Sequence, residues 1–178
     1  MRVQKKRILV IYFDRYGGLK RRLEGYNIEA DYVYVNHVDD YLHRIGHIPD
    51  VTIVSGSKRS IFDNQRYPAI DRIIESGHCV IGICYGFEYM AQISGGTLKH
   101  TSKNRKLVRK EMYEGQEYEF WYNHYDSVIS LPLSWKVLKW SERPNHIDIA
   151  ISGNQIGFQF HPEKRKATFQ RFILPYLA

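Results

Sequence analysis

Gly82-Ile83-Cys84-Tyr85-Gly86 decides how this chain is read. An apolar run, Cys79-Val80-Ile81, leads into it, and a helix-like run with Phe87, Met90 and Ala91 leads out. A cysteine with glycine two residues to either side, between a strand and a helix, has the pattern of a nucleophile elbow, with Cys in place of the more familiar Ser. The sharp turn strains the backbone at the nucleophile, and side chains two positions away would collide, so glycine is required at both. The same turn sets Cys84 at a helix N-terminus, where free N–H groups and the helix dipole are expected to favour thiolate.

A cysteine nucleophile needs a base, and the base needs an orienting partner. Near the C-terminus the chain reads Gly157-Phe158-Gln159-Phe160-His161-Pro162-Glu163. Phe158 and Phe160 alternate with Gln159 as in a strand. If the chain stays extended, Glu163 lies on the same face as His161 and reaches back to its ring. Pro162 between them fixes φ and removes an N–H. The expected triad is therefore Cys84 attacking, His161 carrying the proton and Glu163 orienting the imidazole.

At these residues the sequence resembles the class I (triad) glutamine amidotransferases. The Cys84 pentapeptide followed by Phe87-Glu88 looks like that family's nucleophile signature, and 157–163 is similar to its C-terminal signature. Ile53-Val54-Ser55-Gly56-Ser57 resembles the strand-end glycine loop that supplies half of the oxyanion hole. Within the family, Cys84-Tyr85-Gly86, 91–96 and Asn123-His124-Tyr125-Asp126 look most like the glutaminase part of GMP synthases. The resemblance implies an α/β fold of flavodoxin-like, mostly parallel sheet. It also implies backbone oxyanion donors at Gly56, Ser57 and Tyr85, substrate contacts at Glu88, Asn123, His124 and Tyr125, and no cofactor or metal. The implied activity is hydrolysis of the glutamine side-chain amide through a cysteinyl thioester, with ammonia passed to a separate synthetase.

Three departures stand out. Gly56-Ser57-Lys58 replaces the family's usual Gly-Gly-Pro, and Tyr12-Phe13-Asp14 replaces its usual Asp-Phe-Gly. Glu88 stands where the family usually has Gln, so it would favour an α-ammonium and weaken carboxylate binding, or simply be a carboxylate stabilised in a helix's first turn. Phe87-Glu88 also resembles the γ-glutamyl hydrolases. A stand-alone γ-glutamyl peptide or conjugate hydrolase, and a non-catalytic binding module of the same fold, therefore stay open beside the glutaminase.

The rest of the sequence agrees with an α/β organisation. The 178 residues, 43% of them hydrophobic, suffice for one domain spanning 1–178. Strands are expected at 7–13, 31–36, 51–54 and 79–83, alternating with helices at 19–26, 68–76 and 85–94, an order that builds a parallel, doubly wound sheet. Ligands of such sheets bind beyond the carboxyl ends of the strands, where Gly56 and Cys84 both fall. The second half reads as an added antiparallel portion, with short strands at 108–113, 118–122, 127–131, 135–140 and 147–152, a hairpin turn at 152–155, and a closing helix at 167–177.

Other features narrow the function class. No run approaches the roughly 18 apolar residues of a membrane span, and the basic segment 1–7 lacks a signal-type apolar region after it, so a cytoplasmic chain is expected. Cys79 and Cys84 would lie about 16 Å apart along a strand, out of disulfide reach. The net charge of +7 admits an acidic partner, with basic clusters at Lys99-His100, Lys103, Arg105-Lys106, Arg109-Lys110 and 164–166. No zinc finger, RNP motif or helix-turn-helix supports nucleic acid, and solvated loops or a charged edge strand account for the same residues. His43 and His47, four apart, read as a solvated helix face and not as a metal site. No Walker-type loop is present.

Overall fold

The computed structural model describes residues 5–15, 17–100, 107–142 and 145–178. In chain order its elements are β1 (Ile8–Tyr12), α1 (Gly17–Glu24), β2 (Asp31–Tyr34), α2 (Val38–Ile45), β3 (Val51–Val54), α3 (Pro68–Glu75), β4 (Cys79–Ile83) and α4 (Tyr85–Ile93). There follow β5 (Thr97–His100), β6 (Leu107–Tyr113), β7 (Gln116–Tyr122), β8 (Asp126–Ser130), β9 (Lys136–Trp140), β10 (Ile147–Ser152), β11 (Gln155–Phe158), α5 (Lys166–Phe172) and α6 (Leu174–Leu177).

A seven-stranded sheet runs β2-β1-β3-β4-β11-β10-β9. Its first five strands are parallel, and β10 and β9 continue it antiparallel. The parallel part has the doubly wound order of flavodoxin-like folds. The inner strands are largely apolar because helices or hairpins cover both faces: every residue of β3 is buried. Leu19 and Leu23 of α1, Phe169 and Phe172 of α5, and Tyr118, Phe120 and Tyr122 of β7 fill one side. Residues of α2, α3 and α4, with Val128 and Trp135, fill the other.

The expected α/β class and the antiparallel second half are both present, with local differences. The second strand stops at Tyr34, and a 3-10 turn at Val35–His37 runs directly into α2. Gly46, at φ 73°, ends α2, so His43 and His47 do not share a helix face. The closing helix is two pieces, α5 and α6, because Pro175 lacks the N–H a continuous helix would need. Lys103, Arg105 and Lys106 lie outside the described residues. Among the described residues no helix is long and apolar enough to cross a membrane.

Two glycines fix how α4 sits on the sheet. A Cβ at Gly86 would lie 2.0 Å from the Val54 carbonyl oxygen, and one at Gly157 would fall 1.8 Å from the Phe87 ring. The N-terminal turn of α4 is thus in backbone contact with β3 and side-chain contact with β11. Gly86→Ala is expected to cost about 3 kcal/mol, as overpacking against backbone that cannot yield. Gly77→Ala, where φ is 78° and nothing lies within 4 Å, is expected to cost only about 1 kcal/mol. Urea denaturation of both variants checks the contrast.

Candidate active site

Cys84 sits between β4 and α4 with φ 53° and ψ −110°, a region that residues with a Cβ rarely occupy. Such a conformation costs about 1–3 kcal/mol and persists only when neighbours enforce it. They do so on both sides: the Cys84 N–H donates to the Phe158 carbonyl at 2.7 Å, and the Cys84 carbonyl accepts from the Glu88 N–H at 2.9 Å. The flanking glycines are needed as the spacing implies. A Cβ at Gly82 would be 2.5 Å from the Met90 sulfur, and Gly86 meets the Val54 carbonyl.

The thiol is buried and donates to the Asn123 backbone carbonyl at 3.8 Å. Its ionisation departs from expectation. Burial pushes the Cys84 thiol well up, the Glu88 side chain adds to this, and the Tyr85 N–H at the start of α4 offsets only part. The helix N-terminus therefore does not by itself make a resting thiolate here; the proton must be drawn off by a base.

His161 and Glu163 follow β11. Glu163 lies in a 3-10 turn, Pro162–Lys164, and not in extended chain as expected. Pro162 starts the turn, and the turn rather than strand alternation brings the carboxylate back to the ring: Nδ1 of His161 and Oε1 of Glu163 are 2.8 Å apart. A carboxylate accepts, so Nδ1 carries the hydrogen and Nε2 is left as the basic nitrogen. Burial alone would raise the Glu163 carboxyl, but His161 beside it, its own backbone N–H and Lys164 outweigh this and hold it below the ordinary range. The His161 N–H donates to the Trp121 carbonyl at 2.8 Å and the Trp121 indole stands edge-on to the imidazole at 5.2 Å, which fixes the ring plane.

Gly56, just past β3, joins these groups. A Cβ there would lie 2.8 Å from Cε1 and 3.6 Å from Nε2 of His161, and 3.4 Å from the Cβ of Cys84. The nucleophile candidate, the imidazole and the glycine loop thus converge on one point. Neither Gly56 nor Ser57 is among the described residues with positive φ, so a side chain at 57 is unstrained. Asp14, just beyond β1, accepts from the Ser57 hydroxyl at 2.8 Å and the Lys58 N–H at 2.9 Å, and the Ser57 hydroxyl in turn accepts from the Arg59 N–H at 3.0 Å.

A cavity of about 370 Å³ is lined by Cys84 together with Ser57, Lys58, Arg59, Glu88, Asn123, His124, Tyr125 and Asp126. Asn123 offers its carbonyl to the thiol. His124 is buried, its Nδ1 2.6 Å from the Asp126 carbonyl. Tyr125 is exposed and stacks on His100 at 6.4 Å. Asp126 is buried and bonded to the Ser60 hydroxyl, the Ile61 N–H and His100 Nδ1. Glu88 is 2% exposed and accepts from Gln159 Nε2 at 2.7 Å. Burial, opposed by that hydrogen bond and aided by Asp126, pushes its carboxyl up to about 8. The shift favours the protonated form near pH 7, whereas the sequence suggested an ionised carboxylate, either binding an ammonium or stabilised by the helix dipole. Among the described residues no three His, Cys, Asp or Glu side chains gather as a metal site.

The family model for glutamine amidotransferase class-I matches residues 12–175. The chain belongs to that family. GMP synthase [glutamine-hydrolyzing] of Thermus thermophilus is 34% identical over 126 residues, covering 66% of this chain and 25% of its own length. The enzyme of that name in Aquifex aeolicus is 28% identical over 184 residues, covering 97% of this chain and 36% of its own length. The chain thus spans about a quarter to a third of these relatives. Among solved structures, a putative GMP synthase subunit from Thermoplasma acidophilum has a TM-score of 0.74 at 17% identity, covering 90% of this chain and 86% of that one. A glutamine amidotransferase of Thermotoga maritima has a TM-score of 0.67 at 18% identity, covering 97% and 83%. These two likenesses are of fold.

Seen as an amidotransferase, two departures of the chain answer each other. Asp14, from the altered first strand, binds Ser57 and Lys58 of the altered loop. Sequence reasoning noted both changes without joining them; the available signal was that both fall at carboxyl ends of strands that prove adjacent. Gln159 was missed altogether as a site residue. It reads as the polar member of an alternating run, yet it is fully buried, its Oε1 accepting from the Val128 N–H at 3.1 Å and its amide aimed at Glu88.

The raised Glu88 carboxyl has a stability consequence. Below about pH 4.5 folded and unfolded chains both hold this proton. As pH rises towards 8 the unfolded chain ionises while the folded one does not, so stability falls across that window. Glu88→Gln removes this penalty. Its melting temperature relative to wild type is expected to climb between pH 4.5 and 8, by on the order of 10 °C, and a constant difference across that range would refute the assignment.

Proposed function

We propose that this chain is a glutaminase module acting through Cys84, His161 and Glu163. The observation that carries the reading is the convergence of the Cys84 turn, the His161 imidazole and the Gly56 loop, in a chain of the amidotransferase family. Because burial disfavours the thiolate, attack and deprotonation are coupled in this reading. Nε2 of His161 takes the thiol proton as Sγ bonds to the side-chain amide carbon of glutamine. The amide oxygen becomes an oxyanion held by backbone N–H groups of Tyr85 and of the Gly56-Ser57 loop. His161 then delivers its proton to the nitrogen, the C–N bond breaks and ammonia leaves. Water, deprotonated by His161, opens the resulting γ-glutamyl thioester to give glutamate and restore the thiol. Glu163 orients the ring and stabilises its charged form throughout.

Residues 1–178 act in this reading as one amidotransferase domain, with ammonia consumed by a separate synthetase. The relatives' names point to GMP formation as the acceptor reaction. Two unpaired cysteines suit a reducing, cytoplasmic setting.

Cys84→Ala is expected to abolish glutamine-dependent ammonia release, measured with the acceptor synthetase present, while leaving the circular dichroism spectrum unchanged; persistent release overturns the reading. Faster turnover of γ-glutamyl peptides than of glutamine by the unpartnered chain would replace it with a stand-alone hydrolase. Asp14→Ala, which frees the oxyanion loop without touching substrate, is expected to lower kcat about tenfold with little change in KM, a fraction of what losing a whole oxyanion donor costs. Steady-state kinetics decide this, and a change confined to KM would count against it.

A further inference from the structure

We propose that the cationic cavity between α1 and the Pro162–Lys164 turn is a second site, which binds a small phosphate monoester of nucleotide size and is linked electrostatically to the His161–Glu163 pair. It goes beyond the chemistry proposed for Cys84 and does not depend on it.

The cavity, of about 540 Å³, shares no lining residue with the one at Cys84. That is far more than a bare phosphate fills and lies within the range of small-molecule sites. Arg21 and Arg22 of α1 line it together with Lys164 and Lys166, and the half-buried Tyr26 adds an aromatic surface. Among the described lining residues Glu163 carries the only carboxylate, and its Oε1 is taken by His161.

Arg22 and Lys164 are held in place by contacts that carry no negative charge. Nε of Arg22 donates to the Glu163 backbone carbonyl at 3.0 Å, which leaves the outer N–H groups of the guanidinium for another acceptor. The Lys164 ammonium lies over the Trp121 ring at 5.2 Å and would be 3.3 Å from a Cβ at Gly18, so it stands at the start of α1. Among the described residues no carboxylate forms a salt bridge with Arg22, Lys164 or Lys166. By contrast Arg165, between the two lysines, pairs with Glu119 at 2.7 Å, and Arg171 of α5 pairs with Glu114. Cations gathered around a concavity attract an anion. A guanidinium fork beside ammonium groups matches a phosphate monoester, which brings more negative charge and more acceptor oxygens than a carboxylate.

The site also bears on the triad. Arg22 holds the backbone of Glu163, and Lys164 is the next residue in the turn. Against burial, His161 and then Lys164 keep the Glu163 carboxyl low. An anion bound to Lys164 cancels part of that support. It therefore opposes the carboxylate that orients His161, and by reciprocity the carboxylate opposes the anion.

The test is calorimetric titration of the full-length chain with AMP, adenosine and inorganic phosphate at fixed ionic strength. One AMP is expected to bind per chain with a Kd of about 1 mM or tighter. Inorganic phosphate is expected to compete with it, and adenosine not to bind. Arg22→Gln, Lys164→Gln and Lys166→Gln are each expected to weaken AMP binding about tenfold, the loss of one charged hydrogen bond. Both lysines are exposed, so their variants decide the matter even if Arg22→Gln does not fold. Glu163→Gln is expected to tighten AMP binding severalfold by removing the opposing charge. Absence of saturable AMP binding, adenosine binding as tightly as AMP, or binding untouched by both lysine variants overturns the site. Binding by Glu163→Gln that is unchanged or weaker overturns the link to the triad. None of these titrations uses glutamine, so failure of the site leaves the glutaminase reading standing, and absence of glutamine turnover leaves the site standing.

Discussion

Everything at this site depends on the close approach of α4 to the carbonyl of Val54. With no Cβ at Gly86, the helix can begin in contact with the backbone of β3. That contact forces the chain through positive φ at Cys84 and holds the thiol at the carboxyl ends of β3, β4 and β11. From there the rest follows by adjacency. The Gly56 loop leaves β3 and His161 follows β11, and a Cβ added at Gly56 would touch both the His161 ring and the Cβ of Cys84. The sheet supplies rigidity, while the candidate reactive groups lie on the turns that leave it.

Burial shapes the chemistry as much as placement does. The same exclusion of water that pushes the Cys84 thiol up also raises Glu88, while Glu163, equally enclosed, is held down by His161. Three acids within one small region thus take different states near neutral pH: a thiol, a carboxylic acid and a carboxylate. The difference lies in their partners. Glu163 faces an imidazole, Asp126 faces a hydroxyl, an N–H and an imidazole, and Glu88 faces a single amide. In the proposed reading, the carboxylate paired with His161 supports the base, and Cys84 depends on that base for ionisation.

Much of this was legible in the sequence because local pattern and tertiary role coincide. The inner parallel strands are largely apolar since both faces are covered, and the Cys84 turn declares itself through its two glycines. Elsewhere the signal was local but weak. Val38, Tyr41, Leu42 and Ile45 carry helical spacing and Gly46 a helix stop, yet α2 follows a 3-10 turn with no side-chain cap to announce it. Pro175 marked the break between α5 and α6, but a break one residue long does not disturb the apolar period. What was not legible depends on residues far apart in sequence. Asp14 meets Ser57 only because β1 and β3 are neighbours, and Gln159 meets Glu88 only because β11 lies beside β4. The expected state of Cys84 failed for a related reason: a helix N-terminus is visible in sequence, whereas the depth of burial that outweighs it is not.

The central claim is that Cys84 is the group that becomes covalently attached to a γ-glutamyl carbon. The most direct test is to treat the full-length chain with an electrophilic glutamine analogue carrying a γ-halomethyl ketone and to map the product by peptide mass spectrometry. The account predicts one equivalent of adduct on Cys84, slowed by excess glutamine and by His161→Ala. Modification of Cys79 in preference to Cys84, or an adduct on Cys84 that forms at the same rate with and without glutamine, would contradict it.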